Sequence, residues 1–216
     1  MPSAPATAEG VPATEPPAQP VAAAEGASAA EIWKAYGERW KATADYTASF
    51  RQSIEVADLG TAVASSGRFS FAKPDLLLWE YTEGAPQTVV GDGAWVWVYQ
   101  PDLEQVYKIA YAEAFGSGGL VALLAGRDGL SERYEASLLT SSEQAVTMQL
   151  VPRAGRGEQL EVTMTRPTFD LAAVVITDAA GSTTRMEFFD AERNGGVDPE
   201  LFSFTPPAGV DIIHRR

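Results

Sequence analysis

The sequence lacks cysteine altogether and has a single histidine among its 216 residues. Without thiols the chain can form no disulfide, no thiolate nucleophile and no cysteine-bound zinc or iron–sulfur site. The histidine, His214, stands third from the C-terminus without neighbouring ligands, which predicts a frayed tail and leaves no Ser–His–Asp triad or two-histidine zinc site. We therefore expect no metal, no cofactor and no enzymatic activity.

Basic residues are also scarce: 16 Lys and Arg stand against 29 Asp and Glu, for a formal net charge of −13. This balance argues against nucleic acid as a partner and against electrostatic docking on anionic lipid, since both need clustered cations. No run approaches the ~20 apolar residues of a membrane span. The N-terminus shows neither the basic nor the apolar region of a secretory signal, so we expect either a cytosolic protein or one whose export signal has been removed.

Residues 1–28 consist almost entirely of alanine, proline, glutamate, threonine, glycine and valine. Such a composition buries too little apolar surface to offset the entropy of ordering the chain. We therefore expect a disordered, partly extended linker over 1–28 and a single domain over 29–216. The linker is either a tether to a lost N-terminal element or a tail without function, and the sequence leaves both open.

An amphipathic helix is predicted at the start of the domain. Ile32, Trp33, Tyr36 and Trp40 follow one another at spacings that place them on one helical stripe. Ser28 precedes this run, and Glu31 three residues later completes the pattern of a capping box. We expect this aromatic-rich helix to pack on a sheet or to close an opening.

After the helix the apolar period changes from about 3.6 to 2. The alternating runs cover residues 46–56, 67–71, 76–81, 95–99, 105–111, 146–151, 159–165, 171–177, 183–189 and 202–204. Short turn sequences with glycine, proline or aspartate separate most of them. Roughly ten strands at hairpin spacing predict a meandering antiparallel sheet.

One segment between residues 112 and 134 interrupts the strands. Leu120, Leu123 and Leu124 form a short apolar helical stripe, and glycines lie on both sides of it. Because glycine permits hinge motion, the segment is either a mobile lid or a loop that covers one end of the sheet.

Two of the predicted strands carry large apolar groups on both faces. Trp95, Trp97 and Tyr99 alternate with valines, and Trp79 stands among leucines. A sheet with one face in water does not need this pattern. The sequence is compatible with a thick core under a helical cover or with a lipid-sized apolar pocket, and it does not assign which face of the 95–99 strand lines such a pocket.

Several motifs in order resemble the LolA family of lipoprotein carriers. They are "GRFSFAKPDLLLWEY", "VGDGAWVWVYQPDLEQV" and "TTRMEFFDAERNGGVDPELFSFTPPAGVDII", and the resemblance covers about residues 31–213. It implies a mostly β fold with a helical lid, namely an incomplete, strongly curved antiparallel β-barrel whose helices cover an apolar cavity for acyl chains.

The resemblance also implies a function. Proteins of this family shelter the acyl chains of lipoproteins in the periplasm between an inner-membrane ABC exporter and the outer membrane, where a receptor often accepts them. We accordingly expect acylated lipoproteins as cargo and a monomeric carrier. The alternatives are a lipid-sensing regulatory half-barrel of the same fold and a general lipid-binding protein.

The cavity that the resemblance implies gives the large apolar strand residues a candidate role in binding acyl chains. The candidates are Phe50, Phe69, Phe71, Leu77, Trp79, Tyr81, Trp95, Trp97 and Tyr99. The candidate lid residues are Trp33, Trp40, Leu120, Leu123 and Leu124. Family members commonly have arginine before the proline that follows the second strand, where it fastens the lid. Here Lys73 precedes Pro74, so Lys73 is the candidate latch, a point charge without the arginine fork.

Overall fold

A computed structural model describes residues 27–57, 61–115, 123, 133–153 and 157–215 of the chain. Two α-helices lie in this part, α1 (Ala29–Lys41) and α2 (Tyr111–Phe115). The strands are β1 (Asp45–Glu55), β2 (Ala62–Ala72), β3 (Leu76–Glu83), β4 (Gln87–Asp92), β5 (Trp95–Gln100), β6 (Gln105–Ala110), β7 (Tyr134–Ser141), β8 (Ala145–Pro152), β9 (Gln159–Thr165), β10 (Leu171–Thr177), β11 (Thr183–Arg193) and β12 (Asp211–Arg215). Of the predicted linker over 1–28, all but the last two residues lie outside the described residues.

The strands form one 12-stranded sheet in the order β12-β6-β5-β4-β3-β2-β1-β11-β10-β9-β8-β7. Two antiparallel meanders, β1 to β6 and β7 to β11, meet where β1 pairs with β11. Only β12 pairs in parallel, beside β6, among the strands that the structure describes. The predicted mostly β, antiparallel fold class is confirmed.

The sheet must curve strongly, because one helix packs against strands that lie far apart in it. Helix α1 lies against β7, and the ring of its Trp40 contacts Phe71 on β2. These strands are six places apart in the sheet order, a distance of about 29 Å in a flat sheet with ~4.8 Å between strands. A helix is only about 10 Å wide, so both strands reach it because the sheet wraps around it.

Helix α1 begins where the sequence predicts. The Ser28 backbone N–H and hydroxyl donate to the Glu31 carboxylate at 2.7 and 2.8 Å, and the Glu31 N–H donates back to the Ser28 hydroxyl at 3.3 Å. The capping box satisfies N–H groups that have no partner inside the helix. Ile32, Tyr36 and Trp40 form its buried stripe, while Trp33 is half-buried. Among the described residues, no helix combines the length and apolar character needed to cross a bilayer.

The C-terminal region differs from the prediction. Residues 202–204 do not form a strand, because Phe202 ends a 3₁₀ turn that begins at Pro199. The last strand is instead β12, in which His214 pairs with Lys108 of β6. The prediction of a frayed tail at His214 was therefore wrong. A five-residue strand at the sheet edge gains its order from the neighbouring strand, which local sequence does not reveal.

The pattern also missed β4 and β7. Strand β4 contains a threonine and a glycine that weaken its alternation, and the glycine, Gly91, lies opposite Leu77. A Cβ added to Gly91 would meet the Leu77 side chain at 2.9 Å, so glycine lets the two strands approach here. These strands form because β3 and β8 offer them partners.

Candidate functional site

The inner face of the curved sheet is built from large apolar side chains at alternate positions. Phe50 on β1, Phe69 and Phe71 on β2, and Leu77 and Trp79 on β3 are all buried on this face. On the other half of the sheet the same surface continues through Met148, Leu150, Leu160, Val162, Met164 and Val174. Strand alternation explains the arrangement, since every second residue points to the same side. The inner face is therefore a continuous apolar surface under α1.

Trp40 is the centre of the contact between α1 and this surface. Its ring lies 5.2 Å from that of Tyr46 and 6.4 Å from that of Phe71, centroid to centroid. Tyr36, one helical turn earlier, lies 5.9 Å from Trp40 and stacks at 5.2 Å on Trp33. These tilted and edge-on pairs add to the stabilisation from buried area.

Of the candidate lid residues outside α1, the structure describes only Leu123. Leu123 is fully buried in the cluster around α1, and its carbonyl accepts a 3.3 Å hydrogen bond from the Tyr36 hydroxyl. Burial raises the pKa of Tyr36 well above its ordinary value, so this hydroxyl remains a donor. The candidates Leu120 and Leu124 lie outside the described residues.

The inner face is closed at one end and more open at the other. Along β1, Tyr46, Ala48 and Phe50 are buried, whereas Gln52 and Ile54 are half-buried. Strand β3 shows the same gradient, from buried Trp79 to half-buried Tyr81. The Tyr81 hydroxyl donates to the Gln52 side-chain oxygen at 2.8 Å, so the more accessible end of the apolar surface carries a polar pair.

The remaining candidates, Trp95, Trp97 and Tyr99, lie on the outer face of the sheet. The valines between them face inward, and Val96 packs with Leu77 and Tyr111. The structure thus separates the three aromatic side chains of β5 from the six candidates on β1, β2 and β3. Alternation puts them on one side or the other, and only the position of β5 in the folded sheet decides which side is inner.

An outer segment, residues 197–204, packs on two of these aromatic side chains, while Trp95 is 38% exposed. Phe204 contacts Trp97 and Tyr99 at ring distances of 5.8 and 6.0 Å, and Phe202 packs on Leu78 and Val90. Both faces of β5 are apolar because Leu77 and Tyr111 of α2 pack on the inner one and the outer segment packs on the other.

Polar contacts fix the outer surface of β5. The Trp97 indole N–H donates to the Asp92 carboxylate at 2.9 Å, and Lys108 Nζ lies 4.2 Å from the Trp95 ring centroid and 4.5 Å from that of Trp97. Burial opposes ionisation of Asp92, but hydrogen bonds from Trp97, Trp95 and Ala94 outweigh it and hold the pKa of this carboxyl below its ordinary value. Asp92 thus remains an anion that orients the Trp97 ring.

Lys73 lies where the predicted latch requires it. Its Nζ donates to the main-chain oxygens of Trp40 and Lys41 at 2.9 and 2.7 Å. These carbonyls belong to the last turn of α1, where a cation is favoured by unpaired oxygens and by the helix dipole. A role for Lys73 in holding the helix closed stays a prediction.

Replacing Lys73 by methionine is expected to loosen α1 without unfolding the sheet. The variant loses two charge-assisted hydrogen bonds to the helix end, worth about 1 kcal/mol together at this partly exposed site. Backbone amides of α1 should therefore exchange with deuterium about fivefold faster, measured by mass spectrometry on peptides spanning 29–41. Lys73→Arg retains the donors and serves as the control. Equal exchange in all three proteins would contradict the latch.

A second attachment of α1 was not predicted from the sequence. The Arg193 guanidinium at the end of β11 donates to the Asp170 carboxylate, to the Thr43 hydroxyl at 2.7 Å and to the Phe169 carbonyl at 3.3 Å. It also lies 4.6 Å from the Trp40 ring centroid and 5.2 Å from that of Tyr46. In the sequence, the one indication of this attachment is that an arginine ends an otherwise ordinary strand.

Burial shapes the ionisation of this cluster. Desolvation opposes ionisation of Asp170, but hydrogen bonds from Arg193 and Thr168, together with the Arg193 charge, outweigh it, so the pKa of Asp170 lies below its ordinary value. Desolvation raises the pKa of Tyr46 to about 12, although the Arg193 charge opposes the rise. At neutral pH the cluster therefore holds an ion pair beside a neutral phenol.

An open, curved sheet wrapped around one amphipathic helix defines the class of half-barrel proteins with a covered apolar inner face. An uncharacterized conserved protein from Thermus thermophilus has this fold, with a TM-score of 0.53 over 87% of this chain and 99% of that chain, at 12% identity. Two outer-membrane lipoprotein carrier proteins are closer in sequence. That of Dechloromonas aromatica is 32% identical over 173 residues, 80% of this chain and 83% of the relative. That of Methylibium petroleiphilum is 36% identical over 168 residues, 77% and 81% of the two chains.

Residues 41–205 match the model of the family described as outer membrane lipoprotein carrier protein LolA. The chain belongs to the LolA family.

Proposed function

We propose that this protein carries acylated lipoproteins across the periplasm with their acyl chains against the inner face of the sheet. The observation that carries the proposal is the continuous apolar inner face, against which α1 packs in the described part of the chain. Membership of a family described as lipoprotein carriers supports it. The acyl chains would contact Phe50, Phe69, Phe71, Leu77, Trp79 and Tyr81 after α1 has moved aside.

The covered state suits a carrier that must release its cargo. Three acyl chains contain ~40 methylenes, each worth ~0.8 kcal/mol on leaving water. The summed free energy of removing these methylenes from water exceeds the strongest non-covalent binding free energies known, about 18 to 21 kcal/mol. The protein therefore has only to compete with a membrane for the acyl chains. Because α1 already covers the apolar surface, cargo must displace it, and this cost lowers the net affinity. The carrier can then deliver cargo to a more apolar acceptor.

The partners follow from this role. Loading against the cost of opening requires work, which an inner-membrane ABC exporter would supply. An outer-membrane receptor or the membrane itself would accept the cargo. Neither loading nor delivery of the cargo needs a catalytic group. In the part of the chain described, the inner face presents apolar side chains rather than a cluster of ionisable ones.

A pair of valine variants tests the acyl-chain site. Val89 on β4 is half-buried on the inner face beside Trp79, whereas Val151 on β8 is exposed on the outer face. Val89→Glu places a charge where the acyl chains would lie, and burying a charge in apolar surroundings is strongly unfavourable. We expect the amount of acylated polypeptide bound to Val89→Glu to be at most about a tenth of the amount bound to wild type. Val151→Glu should bind the wild-type amount. Native mass spectrometry of the proteins isolated from the periplasm of exporting cells gives the measurement.

The outcomes separate the alternatives. Acylated polypeptide bound to wild type and to Val151→Glu supports the carrier. Free fatty acid or phospholipid as the only ligand would instead favour a general lipid-binding protein or a lipid sensor. A protein free of lipid that also fails to accept lipoprotein from purified exporter contradicts the carrier proposal.

A further inference from the structure

The indole N–H of Trp79 is a buried hydrogen-bond donor without an acceptor. Trp79 is 7% exposed, and within the described part of the chain its Nε1 has no hydrogen-bond partner. Most buried polar groups in proteins are paired, because an unpaired donor loses its hydrogen bond to water and gains nothing in return. An unpaired donor at the candidate site therefore needs an explanation.

Two aromatic rings and the Val89 side chain lie beside Trp79. The ring centroids of Phe50 and Phe69 lie 5.3 and 4.9 Å from that of Trp79, at interplanar angles of 62° and 57°. A contact between an N–H group and an aromatic face is much weaker than a hydrogen bond to oxygen. A carbonyl oxygen that entered this region would therefore accept a hydrogen bond from an indole N–H that has no other acceptor among the described residues.

The position of Trp79 along the inner face matters as much as its lack of a partner. It lies at the boundary between the fully buried end, marked by Phe69 and Phe71, and the half-buried end, marked by the Tyr81–Gln52 pair. A ligand with apolar chains and a polar head would place its chains towards the buried end and its head towards the accessible end. The linkage between chain and head would then lie at the level of Trp79.

We propose that the Trp79 indole N–H donates a hydrogen bond to the ester carbonyl that links an acyl chain to its cargo. The ligand class is thus a long-chain carboxylic ester and not an alkyl chain as such. This inference rests on the proposed function, because it places the acyl chains of the cargo on the inner face. Trp79 belongs to the sheet, so it would stay in place while α1 is displaced to admit the ester.

Trp97 provides a matched control within the same chain. Its indole N–H already donates to the Asp92 carboxylate at 2.9 Å on the outer face. Trp97→Phe and Trp79→Phe therefore make the same chemical change at a paired outer position and at an unpaired inner one. Phenylalanine keeps most of the apolar volume in both places, and thermal unfolding of each variant checks that it remains folded.

The experiment compares an ester with its ether. The first probe is a short peptide whose N-terminal cysteine carries, through a thioether, a glyceryl group with two ester-linked octanoyl chains. The second probe replaces each ester carbonyl by CH₂. A third probe, dioctanoyl phosphatidylglycerol, distinguishes a phospholipid source of the ester from a lipoprotein source. Affinity is measured by calorimetry, and the five tryptophan indole signals are followed by ¹H–¹⁵N correlation spectra of the intact chain, assigned by single Trp→Phe variants.

We expect the ester lipopeptide to bind about three- to tenfold more tightly than the ether, the range of one hydrogen bond. The Trp79 indole proton should move downfield with the ester only. Trp79→Phe should bring the affinity ratio to about one, and Trp97→Phe should leave it unchanged. An equal effect of the phospholipid would assign the site to acyl esters from either source.

Two results overturn the inference and are distinguishable. If ester and ether bind equally and the Trp79 signal responds alike to both, the ester contact is absent while the acyl-chain site stands. If neither lipopeptide binds, the proposed carrier function fails together with it. If the Trp79→Phe variant did not fold, the ester and ether would still be compared on the wild-type chain, and the Trp79 signal would be assigned by elimination from the other four Trp→Phe variants.

Discussion

Replacing Trp40 by alanine is expected to lower the free energy of unfolding by about 3 to 5 kcal/mol, the usual range for truncating a buried tryptophan. Trp40 is completely buried between α1 and the inner face, where it contacts Tyr46, Phe71 and the Arg193 guanidinium. Its removal leaves a cavity that the stiff sheet cannot fill. Urea unfolding followed by circular dichroism gives the measurement.

Trp33→Ala is the matched control for this prediction. Trp33 stands on the same helix but is half-buried, and among the described residues its aromatic contact is the stack on Tyr36. The expected loss is about 1 kcal/mol, the value of an aromatic pair. If the two variants lost the same stability, Trp40 would not be the residue that attaches α1 to the sheet.

Replacing Arg193 by methionine is expected to destabilise the protein by about 3 kcal/mol at pH 7. Breaking a buried ion pair typically costs 3 to 5 kcal/mol, and the lower end applies because Asp170 keeps 28% of its side chain exposed. The variant also leaves the Thr43 hydroxyl and the Phe169 carbonyl without their donor. Denaturation at constant salt measures the loss.

The stability lost in Arg193→Met should depend on pH, and the ionisation of the Asp170 carboxyl determines the direction of this dependence. Its pKa is lowered in the folded protein, so its stabilising effect is complete above the unfolded value of about 3.9 and is lost as the pH falls through the folded pKa. The difference between wild type and Arg193→Met should therefore narrow below about pH 4. A difference that stayed constant down to pH 2 would contradict a role for the ionised pair.

Arg185→Met on the same strand is the control for the charge change. Arg185 pairs with Glu187 at 2.9 Å, but both side chains are about half exposed. Exposed pairs contribute about 0 to 1 kcal/mol, so this variant should unfold close to wild type. A comparable loss at both arginines would indicate an effect of net charge instead of the cluster around Arg193.

Much of the fold could be predicted from the sequence because it depends on neighbours along the chain. The Ser28–Glu31 capping box, the buried stripe of α1 and the strands with strict alternation all follow from residues within a few positions of one another. Where alternation is weak, as in β4, or where a partner strand supplies the order, as in β12, the prediction failed.

The candidate site shows the same division. The sequence by itself determined that Trp79 and Trp97 stand on strands with large apolar side chains, that Lys73 precedes the proline of a family motif, and that the chain has the motifs of the LolA family. Only the tertiary structure decided that Trp79 faces α1 while Trp97 lies under the outer segment, and that Arg193 attaches the helix to the sheet. The Arg193 contact joins residues 150 positions apart, Thr43 and Arg193. Alternation along a strand states which residues share a face but not what that face meets.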